Sequence, residues 1–434
     1  MVADFRVVFN DCAAPPMTRL THLYTRPGGH QPPNVNYVYQ RTVEGLPAQL
    51  TPAQQDWLDI LGALYATDLA CQRGANADWA RAITVWIGVR EPDHWQPLAA
   101  RFSRLFAALT FDHIEIHFEH DRNPIEPPRQ RRKPINGADC VALISGGVDS
   151  LTGAGMLLNG SHVPLFLSHQ NSGAVGKALG AVDHGLKPLG SSAGRVSLTA
   201  RLQDPLRAES TQRSRSMLYM GVACLLATCL GLRDVYLNEN GVMAIHAPLT
   251  AARLGSYSTR TANPNITRDF ARLASAALGC DLAIRNLLVT LTKPDVVDAA
   301  LRLGLNQVLP HSVSCWAIGR HPVHCGYCIP CLVRRIAFQH SDASDGTYET
   351  NPLDDIPPGA PWAATAKPNL VDLAAQAIDM CELDDAALEY EYPELLNCGD
   401  QLTRDDSFAM HRRWASQCLA VMRTYRHAAA LAGL

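Results

Sequence analysis

The stretch "ADCVALISGGVDSLTGAGMLL", residues 138–158, decides the fold. An apolar, strand-like run over Cys140–Ile144 leads straight into Ser145-Gly146-Gly147-Val148-Asp149-Ser150 and then into small, helix-compatible residues. Two adjacent glycines at a strand-to-helix junction cost backbone entropy, so a tight turn or a closely approaching ligand must offset them. Without a Cβ in the way, the backbone N–H groups can turn inward, and with a helix N-terminus behind them they form an anion site. The serines add hydroxyl donors, and Asp149 can orient the loop or hold a Mg²⁺ ion. Phosphate is the natural guest, although composition alone also allows an ordinary glycine turn. No Lys-Ser or Lys-Thr follows, so this is not the G-x-x-x-x-G-K-[ST] loop.

Outward from this stretch, residues 138–340 alternate strand-like and helix-like patterns. Strands are expected at Cys140–Ile144, Val163–Ser168, Arg195–Thr199, Asp234–Asn238 and Leu282–Leu288, with helices including Arg215–Leu230 and Pro294–Leu303. Such alternation predicts a doubly wound parallel sheet, an α/β fold in which ligands bind beyond the carboxyl ends of the strands. Residues 1–121 read as an accessory α/β region. "AITVWIGV" (82–89) and "DHIEIHFEHD" (112–121) are strand-like, and 94–110 carries helical spacing. Residues 122–137, "RNPIEPPRQRRKPING", are rich in Pro and Arg and read as a solvated linker, with a nucleic-acid-contacting arm as the second reading. Residues 341–434 open with a Pro/Gly/Asp-rich stretch and close in a mainly helical region.

The chain has 434 residues, 47% apolar and 18% charged, enough for two or three domains with a sizeable core. A net charge of −3 carries no global nucleic-acid or membrane signature, and direct nucleic-acid binding is not expected. No apolar stretch reaches the roughly 20 residues that span a bilayer. The longest candidate, Met217–Leu232, reads as a buried helix. The N-terminal residues show no basic-then-apolar leader. Nine of thirteen cysteines are scattered, which argues against a disulfide framework and for a reducing cytoplasm.

The other four, Cys315, Cys325, Cys328 and Cys331, crowd one short segment. Four soft ligands with no spare position suit a closed tetrahedral Zn²⁺ site of structural type. An iron–sulfur cluster makes similar demands, and unmetallated buried cysteines are the plain alternative. His324 reads as a neighbour of this site rather than a fifth ligand.

"SGGVDS" after a short apolar strand resembles the PP-loop of the N-type ATP pyrophosphatases, a HUP-like fold. Those enzymes hold the pyrophosphate of ATP, adenylate a carbonyl or carboxylate oxygen, and release AMP and pyrophosphate. The resemblance implies ATP contacts from Ser145, Gly146, Gly147, Val148, Asp149 and Ser150, with Ser145, Asp149 and Ser150 also serving catalysis.

A PP-loop followed by "SCWAIGRHPVHCGYCIPCLVRR" (314–335) is similar to one branch, the 7-cyano-7-deazaguanine synthases of the QueC family. "TLTKPDVVDAALRLGL" resembles the family's Lys-containing helix, which implies a catalytic Lys293 near the nucleotide. "QRSRSMLYMGVACLLA" resembles its Arg-containing helix start, implying phosphate or AMP contacts from Arg215 and Arg213. For each of these basic residues a solvated surface role is the bland reading. His169 would line the adenine pocket or be a satisfied core histidine.

The resemblance covers residues 138–340. The substrate-side segment "LNENGVMAIHAPLTAARLGSYSTRTANPN" departs from the family's short acidic loop, so Glu239 and Asn240 are assigned to a purine-like edge by position only. Larger chains of this type look like the QueC-like proteins of antiviral defence operons, such as QatC of the Qat system. That likeness implies adenylation of 7-carboxy-7-deazaguanine and transfer to an amine, plausibly on a partner protein from the same operon. A synthase using ammonia, a tRNA-thiolating enzyme and a non-catalytic nucleotide-binding scaffold are the alternatives. The implied cofactors are ATP, Mg²⁺ and Zn²⁺.

Overall fold

The computed structural model describes residues 3–15, 20–23, 35–37, 49–74, 80–124, 135–169, 173–203, 205–209, 213–250, 260–318 and 323–434. Most of the expected Pro/Arg-rich linker, residues 125–134, lies outside the described residues.

The N-terminal region contains β1 (Ala3–Phe9), β2 (Thr21–Leu23), β3 (Val35–Tyr37), α1 (Pro52–Ala70), β4 (Arg81–Val89), α2 (Pro92–Trp95), α3 (Ala99–Thr110) and β5 (His113–His120). Four of these strands make a parallel sheet in the order β2-β1-β4-β5. The helix expected over 94–110 is interrupted by a 3-10 turn at Gln96–Leu98, where Pro97 supplies no N–H to an α-helical ladder.

The middle of the chain runs β6 (Cys140–Ile144), α4 (Val148–Asn159), β7 (Pro164–His169), α5 (Gly173–Leu186), β8 (Gly194–Leu198), β9 (Ala200–Leu202), α6 (Arg215–Cys229), β10 (Asp234–Tyr236), α7 (Gly241–Ile245), α8 (Pro264–Leu278), β11 (Ala283–Arg285), α9 (Lys293–Arg302) and α10 (Ile329–His340). Its five-stranded sheet has the order β11-β10-β6-β7-β8 with every pairing parallel. The last expected strand is shorter than its apolar run. Asn286 Oδ1 accepts from the backbone N–H of Glu239 and of Leu288, which turns the chain out of the ladder.

Parallel sheets need both faces covered, and the alternating residues of β6 show how this one manages it. Cys140, Ala142 and Ile144 pack toward α4, α5 and α9, whereas Val141 faces the core that holds α6 and α8. That second core continues without a break through α1 to the N-terminal sheet. Helix α1 is buried over nearly its whole length, and its buried aspartates Asp56, Asp59 and Asp68 are answered by Arg90 and Arg81. Trp57 Nε1 donates to the Gly221 carbonyl at 2.9 Å. A Cβ on Gly221 would lie 2.2 Å from Leu61 Cδ1, so this glycine lets α1 and α6 close on each other. Strand β3 pairs antiparallel with β9, a further seam between the two regions.

A buried charge network closes the seam near the start of α6. Arg81, with no exposed surface, donates to Asp68 at 2.6 Å and to Asp112, while Arg73 grips Asp112 with bonds of 2.8 and 2.9 Å. The second oxygen of Asp68 accepts from both the N–H and the hydroxyl of Ser214, the residue preceding α6, at 3.0 and 2.8 Å. Burial pushes the Arg81 guanidinium down, but hydrogen bonds and charge from Asp112 and Asp68 outweigh it and hold it above its ordinary value.

The C-terminal region consists of α11 (Ala363–Glu382), α12 (Asp385–Glu391), α13 (Arg404–Arg423) and α14 (Arg426–Ala432). Its core includes Ile329, Leu332, Val333 and Ile336 of α10, together with Ile245 and Val289. The helical ending expected from the sequence is therefore built into the sheet region. No helix among the described residues is long and apolar enough to cross a membrane.

Removing one member of a buried ion network leaves its partners uncompensated, at about 3–5 kcal/mol. Arg81→Met should lower unfolding free energy by that amount in urea titrations. Ser214→Ala, which removes one hydroxyl bond to Asp68, should cost about 1 kcal/mol.

Candidate active site

The junction at 145–150 is a strand–loop–helix turn at the carboxyl end of β6. Gly146 has φ +82°, a left-handed conformation suited to glycine, and Gly147 precedes the first turn of α4. The loop is laced internally. Ser150 Oγ accepts from Ser145 N at 3.1 Å, donates to the Gly147 carbonyl at 3.1 Å and lies 3.1 Å from Ser145 Oγ. From outside, Val313 N donates to the Gly146 carbonyl at 2.9 Å.

Asp149, in the first turn of α4, is buried, and several stretches converge on it. Its Oδ2 accepts from Lys293 Nζ at 2.8 Å and from Asn240 Nδ2 at 3.0 Å. Asn240 is oriented by its other end, since Oδ1 caps α7 by accepting from Met243 N at 3.2 Å. Burial pushes the Asp149 carboxyl up, but the Lys293 ammonium and hydrogen bonds from Glu239, Lys293 and Asn240 outweigh it, so it stays ionised. Glu239 behaves oppositely. Burial and then the Asp149 charge push it well up, against the pull of Lys293, and it carries the proton of their shared hydrogen bond.

Lys293 opens α9, and its placement is over-determined. Thr292 and Asp295 form a reciprocal capping box, and the Asp295 carboxylate also accepts from Arg413 Nε at 2.9 Å and Gln417 Nε2 at 3.0 Å. Helix α13 thereby holds the turn that aims Lys293.

The structure brings Asp149, Lys293, Asn240 and Glu239 together beside the loop of Ser145, Gly146, Gly147, Val148 and Ser150. His169 ends the neighbouring strand β7, with its ring 4.7 Å from Tyr219 of α6. Arg215 begins α6, and its charge bears on both Tyr219 and Tyr65. Arg213, two residues earlier, has other neighbours. It is buried beside Phe111, 6.0 Å from the ring centroid, in the field of Arg73, Asp68 and Asp112. Burial and then the Arg73 charge push it down to about 10. Sequence reasoning missed Tyr219, His246 and the α13 contacts. Tyr219 and His246 lie inside stretches quoted above for other residues, and only the fold shows which side chains they meet.

The four cysteines fit a metal. Cys315, Cys325, Cys328 and Cys331 are buried, and their sulfurs all lie within 4.8 Å of one another. Zn–S bonds near 2.3 Å put tetrahedral sulfurs about 3.8 Å apart, and Cys325 and Cys331 are 3.9 Å apart. The spacing has room for one ion and none for the several atoms of a multi-iron cluster. Gly326, at φ +90°, has its Cα face against the Thr350 carbonyl, 2.1 Å from where a Cβ would sit. His324 is buried, its Nε2 accepting from Ser314 N at 3.2 Å, which makes it a brace for the segment that carries Cys315.

Zinc is expected at about one per chain by elemental analysis. Cys328→Ser should lose the metal and lower the melting temperature, because closing a thiolate site supplies folding free energy. Glu239 gives a pH signature. Its folded value is raised, so its contribution is full below the ordinary glutamate value and is lost as pH rises through the raised one. Urea unfolding across pH should show wild-type stability falling over that window and Glu239→Gln, which keeps a donor, nearly flat.

Comparison with known proteins bears on the same half of the chain. Residues 210–342 match the family model described as queuosine biosynthesis protein QueC, from just before α6 through the cysteines to the end of α10. The chain is 27% identical over 230 residues to the 7-cyano-7-deazaguanine synthase of Methylococcus capsulatus, covering 48% of this chain and 96% of that enzyme. It is 27% identical over 240 residues to the Myxococcus xanthus enzyme and 28% over 229 residues to that of Pseudomonas syringae pv. tomato, covering 48% of this chain each time and 96% and 95% of those enzymes. A parallel α/β sheet, a PP-loop-like junction and a four-cysteine cluster together with these matches make the chain QueC-like, similar to the 7-cyano-7-deazaguanine synthases.

Proposed function

We propose that the chain is an ATP-dependent synthase that adenylates the carboxylate of 7-carboxy-7-deazaguanine, releases pyrophosphate and AMP, and forms a C–N bond with ammonia. The observation that carries this reading is the buried Asp149–Lys293 pair, with Asn240 and Glu239 around it, directly behind an anion-accepting loop. The similarity to 7-cyano-7-deazaguanine synthases supports the substrate class and favours ammonia as the acceptor.

In this reading the backbone N–H groups at Gly146, Gly147 and Val148 and the start of α4 take the pyrophosphate. The Ser145 and Ser150 hydroxyls keep the loop in shape, and Arg215 and His169 flank the nucleotide from α6 and β7. Asp149 fixes the Lys293 ammonium, which neutralises charge as the carboxylate attacks the α-phosphate and the pyrophosphate leaves. Positioning and charge neutralisation supply most of the rate, since the leaving group is already good. Asp149 Oδ1 is buried and accepts from neither Lys293 nor Asn240, and the Glu239 carboxyl lies beside it. A Mg²⁺ ion would take this Asp149 oxygen, with Glu239 joining only on loss of the proton it shares with Asp149, and would offset phosphate charge when bound. The zinc would hold the cysteine segment rather than react. The protein would work in the cytoplasm.

A second reading keeps the adenylation and changes the acceptor to an amine of a partner protein in an antiphage operon. It is favoured by a surface groove between α3 and α8 where Arg101, Arg104, Arg260 and Arg272 outnumber Asp269, a place for an acidic partner surface.

Incubating the protein with ATP, 7-carboxy-7-deazaguanine and ammonium should release AMP and pyrophosphate. Asp149→Asn, which keeps the shape and a hydrogen-bonding group, should cut AMP release by about 100- to 1000-fold, with circular dichroism checking that the fold is retained. ADP as the product would refute the pyrophosphatase chemistry. Intact-mass spectra of co-expressed operon proteins decide the acceptor. A deazaguanine-acyl adduct selects the partner protein, and free amide or nitrile alone selects ammonia.

A further inference from the structure

Beside Asn240 and Lys293, the residues that hold Asp149, lies a cavity bounded by α7, α9, α10 and the C-terminal helices α11 and α13. We propose that this cavity seats the flat ring of the acid substrate, with the C-terminal helices forming its far wall. The proposal rests on the adenylation reading and adds a specificity role for Trp414 and Leu373, which lie beyond residue 342, where the family match stops.

The cavity is polar at one end and apolar elsewhere. Asn240 and Lys293 line it, and both are bonded to Asp149 Oδ2. The remaining wall is mainly apolar, with Val333 of α10, Leu373 of α11, Trp414 of α13 and Trp316, which follows Cys315. Few convergent polar groups in an otherwise apolar hollow is the usual make-up of a small-molecule site. A carboxylate would meet the Lys293 ammonium with the phosphate loop on the other side of Asp149, which is where an attack on the α-phosphate has to start. The ring would then extend along the Trp414 indole, whose flat face suits an aromatic bicycle.

Size agrees. Water-sized centres can occupy about 60 Å³ of the cavity. Because that is the space open to the centres alone, the hollow itself is wider by a water radius on every side, which leaves room for a flat ring. His246 also lines the space in a left-handed conformation, φ 58°. Burial and the charges of Arg260 and Arg213 push it down to about 4, so it offers a neutral imidazole that can donate at one nitrogen and accept at the other. The rim is set from the C-terminal side as well. Gln376 Nε2 donates to the carbonyls of Pro248 at 2.9 Å and Ala247 at 3.4 Å, making it a positioning residue for the turn after α7.

The test is calorimetric titration of the full chain with 7-carboxy-7-deazaguanine and with other bicyclic heteroaromatic acids such as indole-3-carboxylate, each beside an ATP titration. Ala247→Phe fills the cavity and should weaken acid binding by about tenfold or more, with ATP affinity unchanged. Trp414→Leu should weaken acid binding by about tenfold, and Trp414→Phe, which restores a flat wall, should return it to within about threefold. Equal acid affinity in wild type, Ala247→Phe and Trp414→Leu would overturn the proposal, as would failure of the wild type to bind any planar acid. Binding of another bicyclic acid but not the deazaguanine, lost in the same variants, would keep the cavity assignment and remove the substrate of the proposed function.

Discussion

Burying a carboxylate away from water costs several kcal/mol unless charge and hydrogen bonds answer it. At Asp149 the answer comes from distant parts of the chain. Lys293 and Asn240 meet one oxygen, the Glu239 proton adds a further bond, and each donor has its own support. Asn240 is locked by capping α7. Lys293 is locked by the capping box of α9, which Arg413 and Gln417 brace from α13. One buried charge thus ties the loop, the turn after β10, the start of α9 and the C-terminal region into a single geometry. Loss of any support would leave that charge poorly paired, so the arrangement is specified more tightly than apolar packing alone would require.

The flanking regions act on the site from opposite sides. On the N-terminal side, Asp68 grips Ser214 and so fixes the start of α6, where Arg215 sits. The close α1–α6 approach at Gly221 transmits that hold along the helix. On the C-terminal side, α13 supports Lys293 and walls the cavity, and α11 and α13 cover the apolar face of the cysteine helix α10. Neither region is a pendant addition to the sheet, since each shares a buried core with it.

What was legible in the sequence was local. A strand running into Ser-Gly-Gly-Val-Asp-Ser and four cysteines close together are patterns written in consecutive residues, and both took the expected form. The alternation of strands and helices carried the parallel sheet for the same reason. Illegible features depend on residues far apart in the chain. Arg213 sits two positions before Arg215, yet the chain turns at Ser214, which Asp68 holds, and the two side chains face different surroundings. By position in the sequence, Glu239 and Asn240 read as substrate contacts. Only the fold reveals that Glu239 turns toward Asp149 and that Asn240 lines a cavity closed by helices more than a hundred residues away. Trp414 and Gln376 carry no motif, so nothing short of tertiary structure could nominate them.

The bond from Val313 N to the Gly146 carbonyl joins the phosphate loop to the strand of chain that runs into Cys315. A metal that orders the cysteine segment therefore also orders one side of the loop, and the two binding events share a free energy. Linkage makes that coupling reciprocal. Nucleotide on the loop would raise the equilibrium affinity for zinc by the same factor by which zinc raises the affinity for nucleotide. A metal among the cysteines and an anion on the loop would occupy different sites and be coupled through one backbone hydrogen bond.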